Sequence, residues 1–301
     1  MVKLLLAGVL LSFASFIPAS AQQVAITFDD LPTHGDLPEG QTRLDIANSI
    51  LTTLRSQHMP LVYGFINAVQ LESEPENIAV LKVWRAAGEP LVSHSYSHPR
   101  LNDLTTAEYE ADIAKNEPLL TTLMAGQDWH WFRYPYLQEG ETLEKRHAVR
   151  VWLQQNGYRI AQVSLNFDDY LWNDPYARCV DKHNDKAIDL LRLSYLSTAD
   201  QYITVFREVT HTLYGRDIPY VLLLHIGAFD AKMLPDLIDL FRRRGFTFTT
   251  LPEAMKDPAY SDDPDIALEH GGTFQEQVAA ARHIKFPPNG KPTKELEATC
   301  R

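Results

Sequence analysis

The stretch Val24–Ala25–Ile26–Thr27–Phe28–Asp29–Asp30 decides the fold. Its short apolar and β-branched run, Val24–Phe28, reads as a strand that leads straight into two carboxylates. A helix follows at Arg43–Gln57, with Leu44, Ala47, Ile50, Leu51 and Leu54 at helical spacing. The alternation then repeats. Strands are expected at Leu61–Ile66, Pro90–Ser93, Trp129–Phe132, Arg159–Leu165, Pro219–Leu224 and Phe246–Thr249. Helices are expected at Asn77–Ala87, Glu141–Asn156, Asp185–Tyr214 and Lys232–Arg244. Another, Thr105–Met124, opens with a Thr105/Glu108 capping box and is expected to kink at Pro118. Strands alternating with helices favour an α/β fold, a parallel sheet with crossover helices. Alternation alone does not separate an open sheet from a closed barrel.

The 301 residues are 45% hydrophobic and 22% charged, enough to bury a sizeable core. This excludes a disordered chain, a collagen-like repeat and a small disulfide scaffold. The formal charge of −11 and the lack of a long basic run argue against nucleic acid as a partner. Met1–Val2–Lys3, the apolar run Leu4–Phe16 and Ala19–Ser20–Ala21 form the pattern of a secretory signal peptide, residues 1–21. An exported chain, periplasmic or secreted, is expected, with no membrane span once the leader is removed. Residues 22–256 read as one domain, and 257–301 as a loosely structured tail with a short helix near Gln275–Ala281. Cys179 and Cys300 are the only cysteines, so only one disulfide is possible. The sequence leaves its formation open.

Ionisable residues fall at strand ends. Asp29 and Asp30 follow the first strand, His94 and His98 the third, Arg133 and Tyr136 the fourth, and Asp168 and Asp169 the fifth; His225 closes the sixth. In a parallel sheet or barrel these ends share one face. His94 and His98, joined by one carboxylate, suit a divalent metal and leave an open coordination position. A second carboxylate of the Asp29–Asp30 pair is then free to take a proton. His225 follows four apolar residues, so a satisfied core histidine is one reading; its strand-end position points instead to a general acid, since imidazole titrates near neutrality. Arg133 suits a brace for a buried carboxylate. Trp129, Trp131, Tyr134, Tyr136, Tyr170 and Trp172 are candidates for a sugar-binding cleft, with core packing the alternative for at least half of them.

Thr27–Phe28–Asp29–Asp30, His94-x-x-x-His98, Arg133-x-Pro135–Tyr136 and Leu223-x-His225 resemble four of the five ordered motifs of NodB-type polysaccharide deacetylases, the fourth family of carbohydrate esterases. The likeness runs from Thr27 to His225, and by strand pattern to about Thr250. It implies a distorted (β/α)7-type barrel and metal-dependent removal of acetyl groups from a polysaccharide or oligosaccharide. By that resemblance Asp30, His94 and His98 would bind the metal, usually zinc. Asp29 would be the base and His225 the acid. Arg133 would brace Asp29, the Tyr136 backbone N–H would help hold the oxyanion, and Leu223 would line the acetyl pocket. Asp169 would orient His225, and Tyr170 would stand where the family has the tryptophan of its substrate groove; Tyr134 and Trp172 are groove candidates by their aromatic faces alone.

Three features depart from the family pattern. Leu31 stands where glycine is usual after the paired aspartates. In the fourth motif, Asn166 and Tyr170 replace a carboxylate and a tryptophan. His34 is an extra histidine, read as a loop residue with reach into the cleft as the alternative. Two other readings keep the same barrel. One is a metal-free hydrolase of a small cyclic amide, against which the intact ligand set argues. The other is a non-catalytic carbohydrate-binding envelope protein. The glycan, and N- versus O-deacetylation, are not readable from the sequence.

Overall fold

A computed structural model describes residues 22–287 and 290–301. The signal-peptide reading of residues 1–21 lies outside the described residues. Strand β1 (Gln22–Leu31) leads to α1 (Arg43–Ser56), β2 (Tyr63–Ile66), α2 (Gln70–Ser73), α3 (Ile78–Ala86) and β3 (Leu91–Ser93). Next come α4 (Thr106–Lys115), α5 (Glu117–Met124), β4 (Trp131–Phe132), α6 (Leu143–Gln155) and β5 (Arg159–Ile160). They are followed by α7 (Asn173–Asp181), α8 (Asp185–Tyr214), β6 (Tyr220–His225), α9 (Ala228–Arg243) and β7 (Phe246–Phe248). Three short helices end the chain, α10 (Leu251–Ala254), α11 (Phe274–Ala281) and α12 (Thr293–Ala298).

The strands pair in parallel, in the order β5-β4-β3-β2-β1-β6. Strand β7 pairs with the first residues of β1. The sheet curls until the chain beyond β5 meets β6. Leu165 bridges Leu222, and the Leu223 N–H donates to the Leu165 carbonyl at 3.1 Å. The architecture is the expected distorted (β/α) barrel, drawn shut through Leu165 and β6 rather than through β7.

Strand periodicity sorts its residues into two layers. Val24, Ile26 and Phe28 pack outward with the helices, while Ala25 joins Phe65, Val92, Trp131, Ala161 and Val221 in an inner cluster. Two residues beyond Val92, Trp131 and Ala25 stand His94, Arg133 and Thr27. Two beyond Thr27 and Leu223 stand Asp29 and His225, which are register partners on β1 and β6. The inward face therefore changes from apolar to ionisable at the carboxyl ends of the strands.

Some elements differ from expectation. The helix expected over Thr105–Met124 keeps its capping box but breaks at Asn116, so Pro118 sits in the first turn of α5. A proline is tolerated there because the first turn has no intrahelical N–H partner to lose. Helix α7 was not expected. The tail is packed rather than loose: Phe274, Gln275, Val278, Ala279 and Leu296 are buried. A Thr273/Glu276 capping box starts α11, and the Phe274 N–H donates to the Val163 carbonyl at 2.7 Å. Among the described residues, no helix is long and apolar enough to cross a membrane.

Cys179 and Cys300 are joined, with their α-carbons 5.2 Å apart and a sequence separation of 121. Arg178 reinforces the junction by donating to the Leu296 and Thr299 carbonyls. Cross-linking so long a loop restricts the unfolded chain. The Cys179→Ser/Cys300→Ser double variant should lose about 2–4 kcal/mol. A non-reducing urea titration checks this; an unchanged midpoint would show that the bond contributes nothing to stability.

Candidate active site

Adjacent strand residues normally face opposite sides of a sheet. Here the β1–β2 register is interrupted between Phe28 and Leu31, and Asp30 takes a left-handed backbone at φ 62°. This bulge brings both Asp29 and Asp30 into one cavity. The backbone bend falls on Asp30, and Leu31 is wholly buried. Gly64 makes room for Leu31, since a Cβ there would lie 2.8 Å from Leu31 Cδ2. The Leu31 departure is thus a packing feature of the core.

Arg133, fully buried, donates to Asp29 Oδ1 at 2.6 Å and to Thr27 Oγ1 at 2.8 Å. Burial pushes the Asp29 carboxyl above its ordinary range, against the lowering effect of Arg133. Its other oxygen, Oδ2, lies 3.7 Å from His94 Nε2. Asp30 Oδ1 lies 3.7 Å from His94 Nε2 and 3.4 Å from His98 Nε2. Burial works against Asp30 ionising, but the His34 hydrogen bond and the nearby imidazoles hold it well below the usual carboxylate range.

The donors of Asp30, His94 and His98 suit a divalent ion. All three ligand atoms lie within 4.8 Å of one another, and buried Asp30 Oδ1 has no hydrogen-bond partner among the described residues. His94 Nδ1 is 2.8 Å from the Arg133 carbonyl, so its N–H donates there and Nε2 keeps a free lone pair. Burial, with His98 alongside, pushes His94 down to about 3, so the ring is neutral, as a metal ligand must be.

On the opposite wall Asp169 accepts twice from His225, from its backbone N–H at 2.6 Å and its Nδ1–H at 2.9 Å. Burial pushes Asp169 up to about 7. Burial and neighbouring His34 push His225 down to about 4. Behind Asp169 lies Asp230, which sequence reasoning missed. It is buried and receives hydrogen bonds from Asn173 Nδ2 at 2.7 Å and the Tyr195 hydroxyl at 2.8 Å. Its only sequence signal was an acidic residue in the first turn after Gly227.

The cavity measures about 670 Å³. Leu223 lines it, as expected. Tyr136 sits at its edge, with its ring centroid 4.5 Å from that of His98 and its backbone at φ 57°. Tyr170 is half-exposed, its ring 5.2 Å from that of His225. Tyr134 touches the cavity but is buried against Tyr109 and Phe132. Trp172 is a correction: it is fully buried beside Phe167 and Tyr195 and does not line the cavity. Trp131 belongs to the inner cluster, and Trp129 stacks on His130 outside the cavity. Asn166 and Asp168 brace each other in a tight turn, and Asp168 contacts Lys291. The tail adds Thr273, Glu276 and Lys291 to the cavity wall. His34 is a second correction. It is not a detached loop residue, because its Nδ1 lies 2.9 Å from Asp30 Oδ2.

The family model for polysaccharide deacetylase matches residues 17–161. A peptidoglycan-N-acetylglucosamine deacetylase of Bacillus cereus is 29% identical over 153 residues, 51% of this chain and 48% of that protein. The chain thus spans about half the length of that relative. The chitin deacetylase from the fungal pathogen Colletotrichum lindemuthianum superposes with a TM-score of 0.54 at 20% identity, covering 84% of this chain and 93% of that one. A mutant of BA3943, a CE4 family pseudoenzyme with restored enzymatic activity, gives 0.55 at 15% identity over 79% and 69% of the two chains. These two likenesses show a shared fold. Over residues 17–161 the chain is similar to the polysaccharide deacetylase family, and its barrel is the fold those structures share.

Proposed function

We propose that this protein is a metal-dependent carbohydrate deacetylase that hydrolyses N- or O-acetyl groups of a polysaccharide or oligosaccharide and releases acetate. The observation that carries this reading is the convergence of two carboxylates, a histidine pair and a braced third histidine in one cavity. Asp30, His94 and His98 would hold the ion, and the nitrogen-rich donor set favours zinc. When bound, the ion would supply Lewis-acid polarisation of the acetyl carbonyl and of water.

The remaining chemistry belongs to side chains. Arg133 occupies Asp29 Oδ1, leaving Oδ2 to take a proton from the attacking water. The water oxygen bonds to the acetyl carbon, and the bond to the sugar nitrogen or oxygen breaks. His225 Nε2 gives a proton to that leaving atom. Asp169, accepting from the His225 Nδ1–H, orients the ring so that Nε2 faces the leaving atom. Tyr136 and Tyr170 offer aromatic faces to a sugar ring, and the Tyr136 backbone N–H is assigned to the oxyanion. Leu223 is assigned to the acetyl methyl group.

Two named relatives act on acetylated amino sugars, which favours a chitin or peptidoglycan fragment over an O-acetylated xylan. The residue 1–21 pattern and the Cys179–Cys300 bond both favour an exported protein, periplasmic or secreted. Acetate release is the test, run on chitin oligomers, peptidoglycan and acetylated xylan with zinc, cobalt or chelator. Release from one of these, abolished by chelator and restored by metal, is expected. Silence across the panel with metal present would overturn the assignment.

A further inference from the structure

Asp30 faces histidines through both of its oxygens. Oδ1 points to His94 and His98. Oδ2 lies 2.9 Å from His34 Nδ1 and 4.0 Å from His225 Nε2. The His34 and His225 ring centroids are 4.6 Å apart. One ligand atom from each of Asp30, His34 and His225 falls within 4.8 Å of the others, as in the first ligand set.

We infer that Asp30, His34 and His225 form a second divalent-cation site, with the Asp30 carboxylate bridging the two. Three features favour it. His225 already has its Nδ1–H on Asp169, the carboxylate–histidine arrangement that aims a free Nε2 at a metal. The loop carrying His34 is anchored. The Thr33 N–H donates to Gln70 Oε1 at 3.0 Å, and Arg43 donates to the His34 carbonyl at 3.0 Å. Two nitrogens and one carboxylate oxygen match the donor set of a three-ligand zinc site, with room left for water.

The site itself stands on geometry alone; its consequence rests on the deacetylase reading. An ion on His225 Nε2 occupies the atom that gives the leaving group its proton. Excess zinc therefore inhibits, and activity first rises and then falls as zinc is added.

Equilibrium dialysis of the full chain against zinc, with bound metal counted by mass spectrometry, tests the site. The wild type should hold two ions per chain at saturation. His34→Ala and His34→Gln should each hold one, and His98→Ala should lose the other ion. Circular dichroism confirms the fold of each variant, and His34→Gln serves if His34→Ala does not fold. One ion in the saturated wild type, or two retained in a folded His34 variant, would overturn the proposal. The ion count decides the site even if no glycan is turned over, so the two readings fail separately. Where acetate is released, loss of high-zinc inhibition in His34→Gln is the expected companion result.

Discussion

Asp29→Asn should lower kcat for acetate release by about 10²–10⁴-fold, the usual contribution of a positioned general base. The asparagine carbonyl can still accept from Arg133, so the geometry around Oδ1 survives. The carboxamide cannot take a proton, so the base is removed. Loss of the carboxylate charge also leaves Arg133 buried without a counter-ion. Removing one partner of a buried pair costs about 3–5 kcal/mol, so a lower melting temperature should accompany the rate loss. Zinc content is the control that separates the two effects. The proposed first ion would depend on Asp30, His94 and His98, none of which is changed, and should remain. A variant that binds zinc, stays folded at assay temperature and turns over at near wild-type rate would remove Asp29 from the role of base.

The second large effect is expected at Asp169→Asn, where kcat should again fall by about 10²–10⁴-fold with KM little changed. Asp169 accepts from both the backbone N–H and the Nδ1–H of His225. An asparagine has one acceptor oxygen, so one of these two donors must face an NH₂ group. Either the imidazole turns or its tautomer changes. The charge that balances a protonated His225 is lost in both cases. A purely structural role would lower stability and leave kcat per folded molecule intact. Thermal melts and active-site zinc counts measured beside the kinetics distinguish the outcomes. A kcat within a few-fold of wild type would show that His225 needs no carboxylate behind it.

Much of the site was legible because strand periodicity carries it. Val92 and His94 are two apart, as are Trp131 and Arg133 and also Leu223 and His225, so an inward apolar residue announces the inward polar one. Tyr170 and Trp172 show where that legibility stopped. Both are aromatic and two residues apart, yet one is half-exposed at the cavity and the other fully buried. They lie in a helical turn outside the sheet, where no two-residue rule applies. His34 was undervalued because its proximity to Asp30 depends on a loop held by Gln70 and Arg43. Asp230 was missed because an acidic residue in a first helical turn is commonplace on a surface. The tail appeared loose by composition, yet its disulfide and the buried face of α11 fix it against the barrel.

From sequence alone came the alternation of strands and helices, the ionisable residues at strand ends and the ordered motifs. These are local properties, set by side-chain periodicity and by neighbours within a few residues. Tertiary structure alone decided the rest. It placed closure between Leu165 and Leu222, the bulge that gives Asp29 and Asp30 one cavity, the bonding of Cys179 to Cys300, and the two sets of histidines on Asp30. Each depends on segments distant in sequence or on a backbone irregularity. Pattern cannot reveal them, because distance and direction in space are fixed only when the whole core packs.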